Sequence, residues 1–348
     1  MENIIKQCVG IDVSQKEIDV NFGVYGLDQS VENLASKKFK NTANAFPKFL
    51  KWALKLSKKE IPLYFVMEAT GVYHEHLACF LFDTQQKVIV VLPTRASKYA
   101  KSLEIKTITD KESSKCLTRM GLEKKMDLWV KPNPVFNYLK QLTREREQLQ
   151  KEKVINNNQI HAEQKGAWSN KASIKRAKSR IKMIEAQIKE IETEIKNFIK
   201  AHPELDRKIQ YMLSIPGIGM ITAATITGET NGFTLIKNKR QLVSYTGYDI
   251  IRKDSGTSVH SKPRISKRGN KHIRKAMYFP ALTSIMFNEK SKNDFKRMVQ
   301  KHGIRMKAAV AIQRKLLVVM YTLWKKEENF NPDYNCKLQK EIGQLALP

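Results

Sequence analysis

An α/β N-terminal domain, a long coiled-coil hairpin and a mainly α-helical C-terminal domain are the architecture this sequence predicts. Three observations carry it. In roughly the first third of the chain, short β-branched apolar runs alternate with amphipathic stretches. In the middle, isoleucines recur at spacings of three and four residues. In the last part, apolar helical patterns flank a Gly-x-Gly turn.

Taken in order, CVGIDVS and EIDVNFGV read as a β-hairpin, and LYFVMEA and KVIVVLP as short buried strands. AFPKFLKWALKL and HEHLACFLFDTQ read as amphipathic helices between them, which gives an α/β domain over 1–125. From about Pro134 to Lys200 the chain is polar and charged. Its second half carries Ile181, Ile184, Ile188, Ile191, Ile195 and Phe198, at spacings of 3, 4, 3, 4 and 3. A weaker repeat runs through Val135, Leu139, Leu142 and Leu149, and QKGAWSNKAS interrupts both. Two helices joined as a hairpin over 126–201 follow, an arm on the order of 40 Å long at about 1.5 Å per residue. Its seam reads as a dimerisation device. The segment 202–335 opens with LSIPGIGMITAATI, where Gly217 and Gly219 make a helix-hairpin-helix-like turn. Such a turn can aim backbone N–H groups at a phosphate; the plain alternative is an ordinary turn between packed helices. IRKAMYFPALTSIMF and AAVAIQRKLLVVMYTLW read as core helices, and 336–348 as a loose tail.

Charge narrows the partner. Subtracting 34 Asp and Glu from 63 Lys and Arg leaves +29, more than solubility requires, so a polyanion such as DNA or RNA is expected. No apolar run reaches the roughly 18 residues a membrane span needs, and the N-terminus lacks a basic stretch leading into an apolar one, so the chain reads as cytoplasmic. Cys8, Cys79, Cys116 and Cys336 are scattered without metal-binding spacing and are expected to be buried, reduced thiols.

Three carboxylates stand out. Asp12 lies on the opening strand in GIDVS. Glu68 ends the run LYFVMEATG, where a strand-end acid faces the crevice at the C-terminal edge of an α/β sheet. Asp110 stands in TITDKESSKCL where a helix begins. Acids gathered from separate elements are what a hard divalent cation such as Mg²⁺ requires. The plain alternatives are that Asp12 caps a turn, Glu68 pairs with a lysine and Asp110 is a helix N-cap. A second cluster is KDSGTSVHSKPRISKRGNK, where Ser255-Gly256 precedes a run of cations. It sets a flexible hydroxyl beside a run of cations, and the plain reading is a polar β-turn in a DNA-binding loop.

GIDVSQKEIDV, MEATGVYHE, TDKESSKCLTRMG, IPGIGMITAATI, SGTSVHSKPRISKRGNKHIRK and QRKLLVVM, in that order, resemble the transposases of insertion-sequence family 110, the DEDD recombinases. The resemblance spans nearly the whole chain. It implies an RNase-H-like N-terminal domain similar to Holliday-junction resolvases, joined through a coiled-coil arm to a serine-bearing C-terminal domain. It implies a site for Mg²⁺ or Mn²⁺ at Asp12, Glu68 and Asp110, with Ser113 where the family has its fourth acid. It further implies that Ser255 takes a DNA strand as a phosphoserine, with Ser258 a nearby competitor. Lys253, Lys262, Arg264, Lys267 and Arg268 would supply the cationic field, and Gly256 would allow close approach of the sugar-phosphate chain. The implied partners are donor and target double-stranded DNA, a structured guide RNA, and further copies of the chain in a dimer or tetramer. Two other classes fit the same composition: a metal-dependent structure-selective endonuclease, and a non-catalytic DNA-bridging protein.

Overall fold

The computed structural model describes residues 4–104, 109–252, 254–256 and 259–332, so Lys253, Ser258, Cys336 and the expected tail lie outside the described residues. The chain divides into two compact units, Met1–Lys131 and Pro132–Pro348.

The first unit is built on five strands: β1 (Ile4–Val13), β2 (Glu17–Gly26), β3 (Val31–Lys40), β4 (Leu63–Glu68) and β5 (Lys87–Val91). Their order is β3-β2-β1-β4-β5. The pairs β1·β2 and β2·β3 are antiparallel, whereas β1·β4 and β4·β5 are parallel. Side chains alternate faces along a strand. Val9, Ile11 and Val13 of the central β1 therefore pack on one side with Phe46, Phe49 and Ala53 of α1 (Phe46–Leu56) and Leu77, Ala78 and Leu81 of α2 (Glu75–Asp83). Cys8 faces the other side, with Val66 of β4, Ala96 and Tyr99 of α3 (Pro93–Ser102), and Leu117 and Met120 of α4 (Asp110–Glu123).

The expected strands and helices of this unit are present, and β3 and α3 are additions. VENLASKKFK hides from pattern reading because β3 is an edge strand with no fully buried residue and three lysines, a composition that protects an open edge from pairing with another chain. The unit also runs past residue 125: the Trp129 amide donates to Val88 O at 2.7 Å, and Lys131 pairs with Asp83 at 2.7 Å.

In the second unit, α5 (Pro134–Lys165) and α6 (Lys171–Lys200) run antiparallel, as the cross-links Lys153–Glu185 at 2.7 Å, Arg146–Glu192 at 2.6 Å and Arg180 to Asn156 at 2.8 Å require. Ile184, Ile188, Ile191, Ile195 and Ile199 are buried within one chain. The expectation that this seam is a contact between subunits is thereby corrected: an isoleucine stripe records that a partner helix exists, and α5 is that helix. Nor does the core stop at residue 201. Leu139, Leu142, Ile191, Ile195 and Ile199 share it with α7 (Pro203–Leu213), α8 (Met220–Glu229), α9 (Lys239–Thr246) and α13 (Arg305–Lys326). IRKAMYFPALTSIMF divides at Met277 into α10 (Lys271–Ala276) and α11 (Tyr278–Phe287). Instead of lying wholly in the core, α11 leaves Phe279, Met286 and Phe287 exposed, because only its Pro280, Ala281 and Ser284 face turns inward. α12 (Glu289–His302) packs on α11 and α13. Among the described residues no helix is long and apolar enough to cross a membrane.

Candidate functional site

The acids of the first unit are positioned by one close helix-to-strand crossing. A Cβ on Gly10 would meet Ser114 O at 2.2 Å and the Thr118 amide nitrogen at 2.3 Å, and one on Gly121 would meet Cys8 Sγ at 2.4 Å. Helix α4 therefore lies backbone-close against β1 and runs opposite to it. Gly10 N–H donates to Thr118 Oγ1 at 3.0 Å, and that hydroxyl lies 2.9 Å from both Asn21 O and Ser114 O. Asp110, Ser114, Thr118 and Gly121 share one helix face. One turn before Ser114 along α4 leads to Asp110, and two residues beyond Gly10 along β1, on the same strand face, leads to Asp12. Glu68 completes the group, because the parallel register Ile11↔Met67 carries the next residues, Asp12 and Glu68, side by side.

Asp12 is half-buried, and its carboxyl is pushed up to about 6, first by burial and then by the neighbouring negative charges of Asp110, Glu68 and Asp19. Sequence patterns do not single out Asp19. It lies opposite Asp12 in the β1·β2 register, and Lys38 holds it at 3.4 Å. Its only sequence signal is hairpin symmetry. The three expected acids are thus electrostatic neighbours at one sheet edge. Among the described residues, however, no group of three His, Cys, Asp or Glu closes to metal-holding distance. Carboxylates supply only oxygen donors, the kind a hard divalent cation takes.

The plain alternative that Asp110 is a helix N-cap does not hold. Thr109 caps α4, its side chain accepting from the Glu112 amide at 3.2 Å, so the Asp110 side chain is left available at the positive end of the helix. Glu112 pairs with Lys115 at 2.8 Å, and Ser113 is half-buried. Of the thiols, Cys8 and Cys116 are buried and Cys79 is half-buried. Burial raises the Cys8 thiol to about 12, which removes it from reactive chemistry.

In the second unit, Ser255 stands at the end of a folded-back loop. Strand β6 (Ile250–Ile251) pairs with β9 (Arg264–Ile265), and β7 (Asp254–Ser255) with β8 (Val259–His260). Gly256 follows at φ +56°, a left-handed turn that glycine adopts without strain. Ser255, Lys262, Arg264, Lys267 and Arg268 are all exposed. Gly217 takes φ +91°, a backbone that favours glycine, and a Cβ there would crowd Thr283 at 3.2 Å. Gly219 is the N-cap of α8, with open space around it.

A network unforeseen in the sequence anchors the end of the basic run. Glu229 is buried and accepts from Arg144 Nε at 2.6 Å, Arg144 Nη2 at 3.0 Å and Asn270 Nδ2 at 2.6 Å. Burial alone would raise its carboxyl, but the Arg144 and Asn270 hydrogen bonds hold it below the ordinary range. Asn270 Oδ1 in turn caps α10, accepting from the His272 and Ile273 amides. Glu147 grips the next residues, 2.5 Å from His272 Nδ1 and 3.3 Å from Lys275 Nζ. Arg144 and Glu229 are 85 residues apart, so no spacing could reveal the pair.

A DEDD transposase family model for IS110 elements matches residues 9–165, and the model described as "Transposase IS116/IS110/IS902 family" matches residues 209–296. The pilin gene-inverting protein of Moraxella bovis is 27% identical over 328 residues, covering 94% of this chain and 98% of that one. The transposase of insertion sequence element IS1111A from Coxiella burnetii is 26% identical over 137 residues, covering 38% of this chain and 37% of its own. Among solved structures, T. thermophilus RuvC in complex with a Holliday junction substrate aligns with 32% of this chain and 90% of its own, at 9% identity and a TM-score of 0.25.

Proposed function

Because this chain belongs to the IS110 family of DEDD transposases, we propose that it is a DNA recombinase that cuts and rejoins strands at a carboxylate site in its first unit and a serine in its second. The observation that carries this reading is the gathering of Asp12, Glu68 and Asp110 at one sheet edge beneath the Gly10–Thr118 crossing. In this reading the first unit is an RNase-H-like domain. Asp12, Glu68 and Asp110, with Ser113 beside them, hold Mg²⁺ or Mn²⁺. When bound, such an ion supplies Lewis-acid stabilisation of charge on the phosphate oxygens.

Ser255 acts as nucleophile. Its oxygen bonds to phosphorus, the phosphorus–sugar oxygen bond breaks, the hydroxyl proton leaves to a base, and the departing sugar oxygen takes up a proton. The strand is thereby stored as a phosphoserine whose bond energy is kept for rejoining. Lys262, Arg264, Lys267 and Arg268, with Lys253, stabilise charge on the phosphate. Gly256 lets the backbone approach, and the turn at Gly217 and Gly219 contacts the sugar-phosphate chain. The helical arm is a coiled coil, and a structured guide RNA selects donor and target DNA by base pairing. Two duplexes must be held together, so the working assembly is a dimer or tetramer.

The test is a search for a covalent protein–DNA adduct, with and without RNA transcribed from the flanking element. Adducts lost in Ser255→Ala and in Asp12→Ala, with DNA binding intact, are the expected result. Loss only in Ser258→Ala moves the nucleophile. A structure-selective endonuclease is the second reading, favoured by the same three neighbouring acids, whose chemistry needs no serine; it predicts metal-dependent free ends that Ser255→Ala leaves unchanged.

A further inference from the structure

Beyond Leu149, α5 contributes no buried residue, and it runs on for 16 residues to Lys165, roughly 24 Å at 1.5 Å per residue. The turn over 166–170 ends this extension, and Trp168 within it is 94% exposed. The turn is held in shape: Gly166 N–H donates to Ala162 O at 2.9 Å, Asn170 N–H donates to Glu163 Oε1 at 2.7 Å, and Asn170 Oδ1 accepts from the Ser173 amide at 3.1 Å. An exposed indole thus sits on a fixed turn.

Its surroundings are one-signed. Between 153 and 182 there are eight Lys and Arg and one acid, Glu163, whose carboxylate is engaged within the turn. Lys153 is paired with Glu185, and Arg180 donates to Asn156. Lys165, Lys171, Lys175, Arg176, Lys178 and Lys182 are exposed and have no ion-pair partner among the described residues. A second copy of this tip would meet like charge, and the chain as a whole carries +29, so a polyanion is the complementary occupant. A duplex could satisfy the cations but would leave the indole idle, because its bases are already stacked. An unpaired base presents a π-face, and a cationic surface studded with an aromatic is how single strands are held.

We propose that the hairpin tip is a single-stranded DNA contact, in which Trp168 stacks on an unpaired base while the flanking lysines and arginines neutralise adjacent phosphates. The choice of DNA rests on the recombinase reading; the stacking rests on exposure and charge. A binding assay therefore separates the two, since it needs no cleavage.

The experiment compares full-length parent, Trp168→Ala and Trp168→Phe for binding to a labelled oligodeoxynucleotide about 20 nucleotides long, its duplex, and an RNA of the same sequence, with sedimentation of each protein alone. Trp168→Ala should weaken single-stranded DNA binding about five- to a hundredfold, leave duplex binding within about twofold, and be largely rescued by Trp168→Phe. Because the side chain is almost wholly exposed, thermal melting of the variant should match the parent, which excludes misfolding. Unchanged single-strand affinity, or equal loss for duplex, would overturn the proposal. A Trp168 dependence seen only with RNA would reassign the tip to RNA and overturn the DNA contact. An oligomer of the free protein that disappears in Trp168→Ala would assign the tip to a second copy instead.

Discussion

Gly10 and Thr118, 108 residues apart, meet at the centre of the first unit: the glycine amide donates to the threonine hydroxyl at 3.0 Å, with no space between strand and helix for a Cβ. This contact sets how far Asp110 lies from Asp12, because both acids are rigid extensions of the two crossing elements.

Gly10→Ala forces a methyl to within 2.2 Å of Ser114 O, a backbone atom that cannot rotate away. Overpacking of this kind costs about 1–3 kcal/mol. The melting temperature of the first unit should fall by roughly 5–10 °C, and strand cleavage should fall further than stability because the acids separate. Thr118→Ser, which keeps the hydroxyl and removes the methyl, should retain most cleavage. Equal cleavage in Gly10→Ala and parent would show that the crossing does not set the acid site.

Arg144→Ala leaves the Glu229 carboxylate buried without its charged hydrogen-bond partner, with Asn270 as the neutral one that remains. Arg144 is 45% exposed, so water offsets part of the loss, and leaving the buried carboxylate short of a donor is expected to cost about 1–3 kcal/mol. Chemical denaturation should show this as a lower midpoint for the second unit. Asn270→Ala should cost less in stability yet loosen the start of α10. Hydrogen exchange at the His272 and Ile273 amides, which Asn270 Oδ1 caps in the parent, would report it.

Glu147 provides a pH signature. Burial works against its charge, but hydrogen bonds from His272 and Lys151 bring its carboxyl down to about 2 from 4.5. A carboxylate lowered by folding contributes stability that is complete above its unfolded value and lost as the pH falls from about 4.5 toward 2. Melting curves across that interval should fall less steeply in Glu147→Gln than in the parent, with the two lines converging at the acid end. Parallel lines would show that Glu147 carries no such coupling.

Ser113→Asp adds a carboxylate one turn along α4 from Asp110, on a face shared at i and i+3. The expected outcome is a lower Mg²⁺ or Mn²⁺ concentration for half-maximal cleavage. Glu112→Ala should leave that titration unmoved, because Glu112 is engaged with Lys115. The opposite pattern, with Glu112→Ala abolishing activity and Ser113→Asp silent, would place Glu112 as the ligand.

Much of the candidate site is legible in the amino-acid order. Asp12 and Glu68 sit at the ends of strands whose apolar patterns are local, so their shared edge follows once the strands are recognised. Asp110 is legible as a helix start, though not its freedom from capping, which depends on the Thr109 hydroxyl reaching the Glu112 amide. Asp19 is not legible, since its nearness to Asp12 arises only when the hairpin closes.

Neighbouring residues are enough to dictate most stretches of strand and helix, the edge strand β3 excepted, where the helices have apolar faces, that the first unit mixes both elements while the second is mainly helical, and that a polyanion is the expected partner. All of these follow from propensity, periodicity and charge, which act locally or sum along the chain. What each face is buried against belongs to the folded molecule. Burial of apolar surface is non-directional, so Ile188 and Ile191 state that they need a partner without naming it, and α5 of the same chain takes that place. Likewise only the folded chain brings Arg144 to Glu229 and Thr118 to Gly10, because hydrogen bonds across 85 and 108 residues depend on how elements cross and leave no spacing in the sequence.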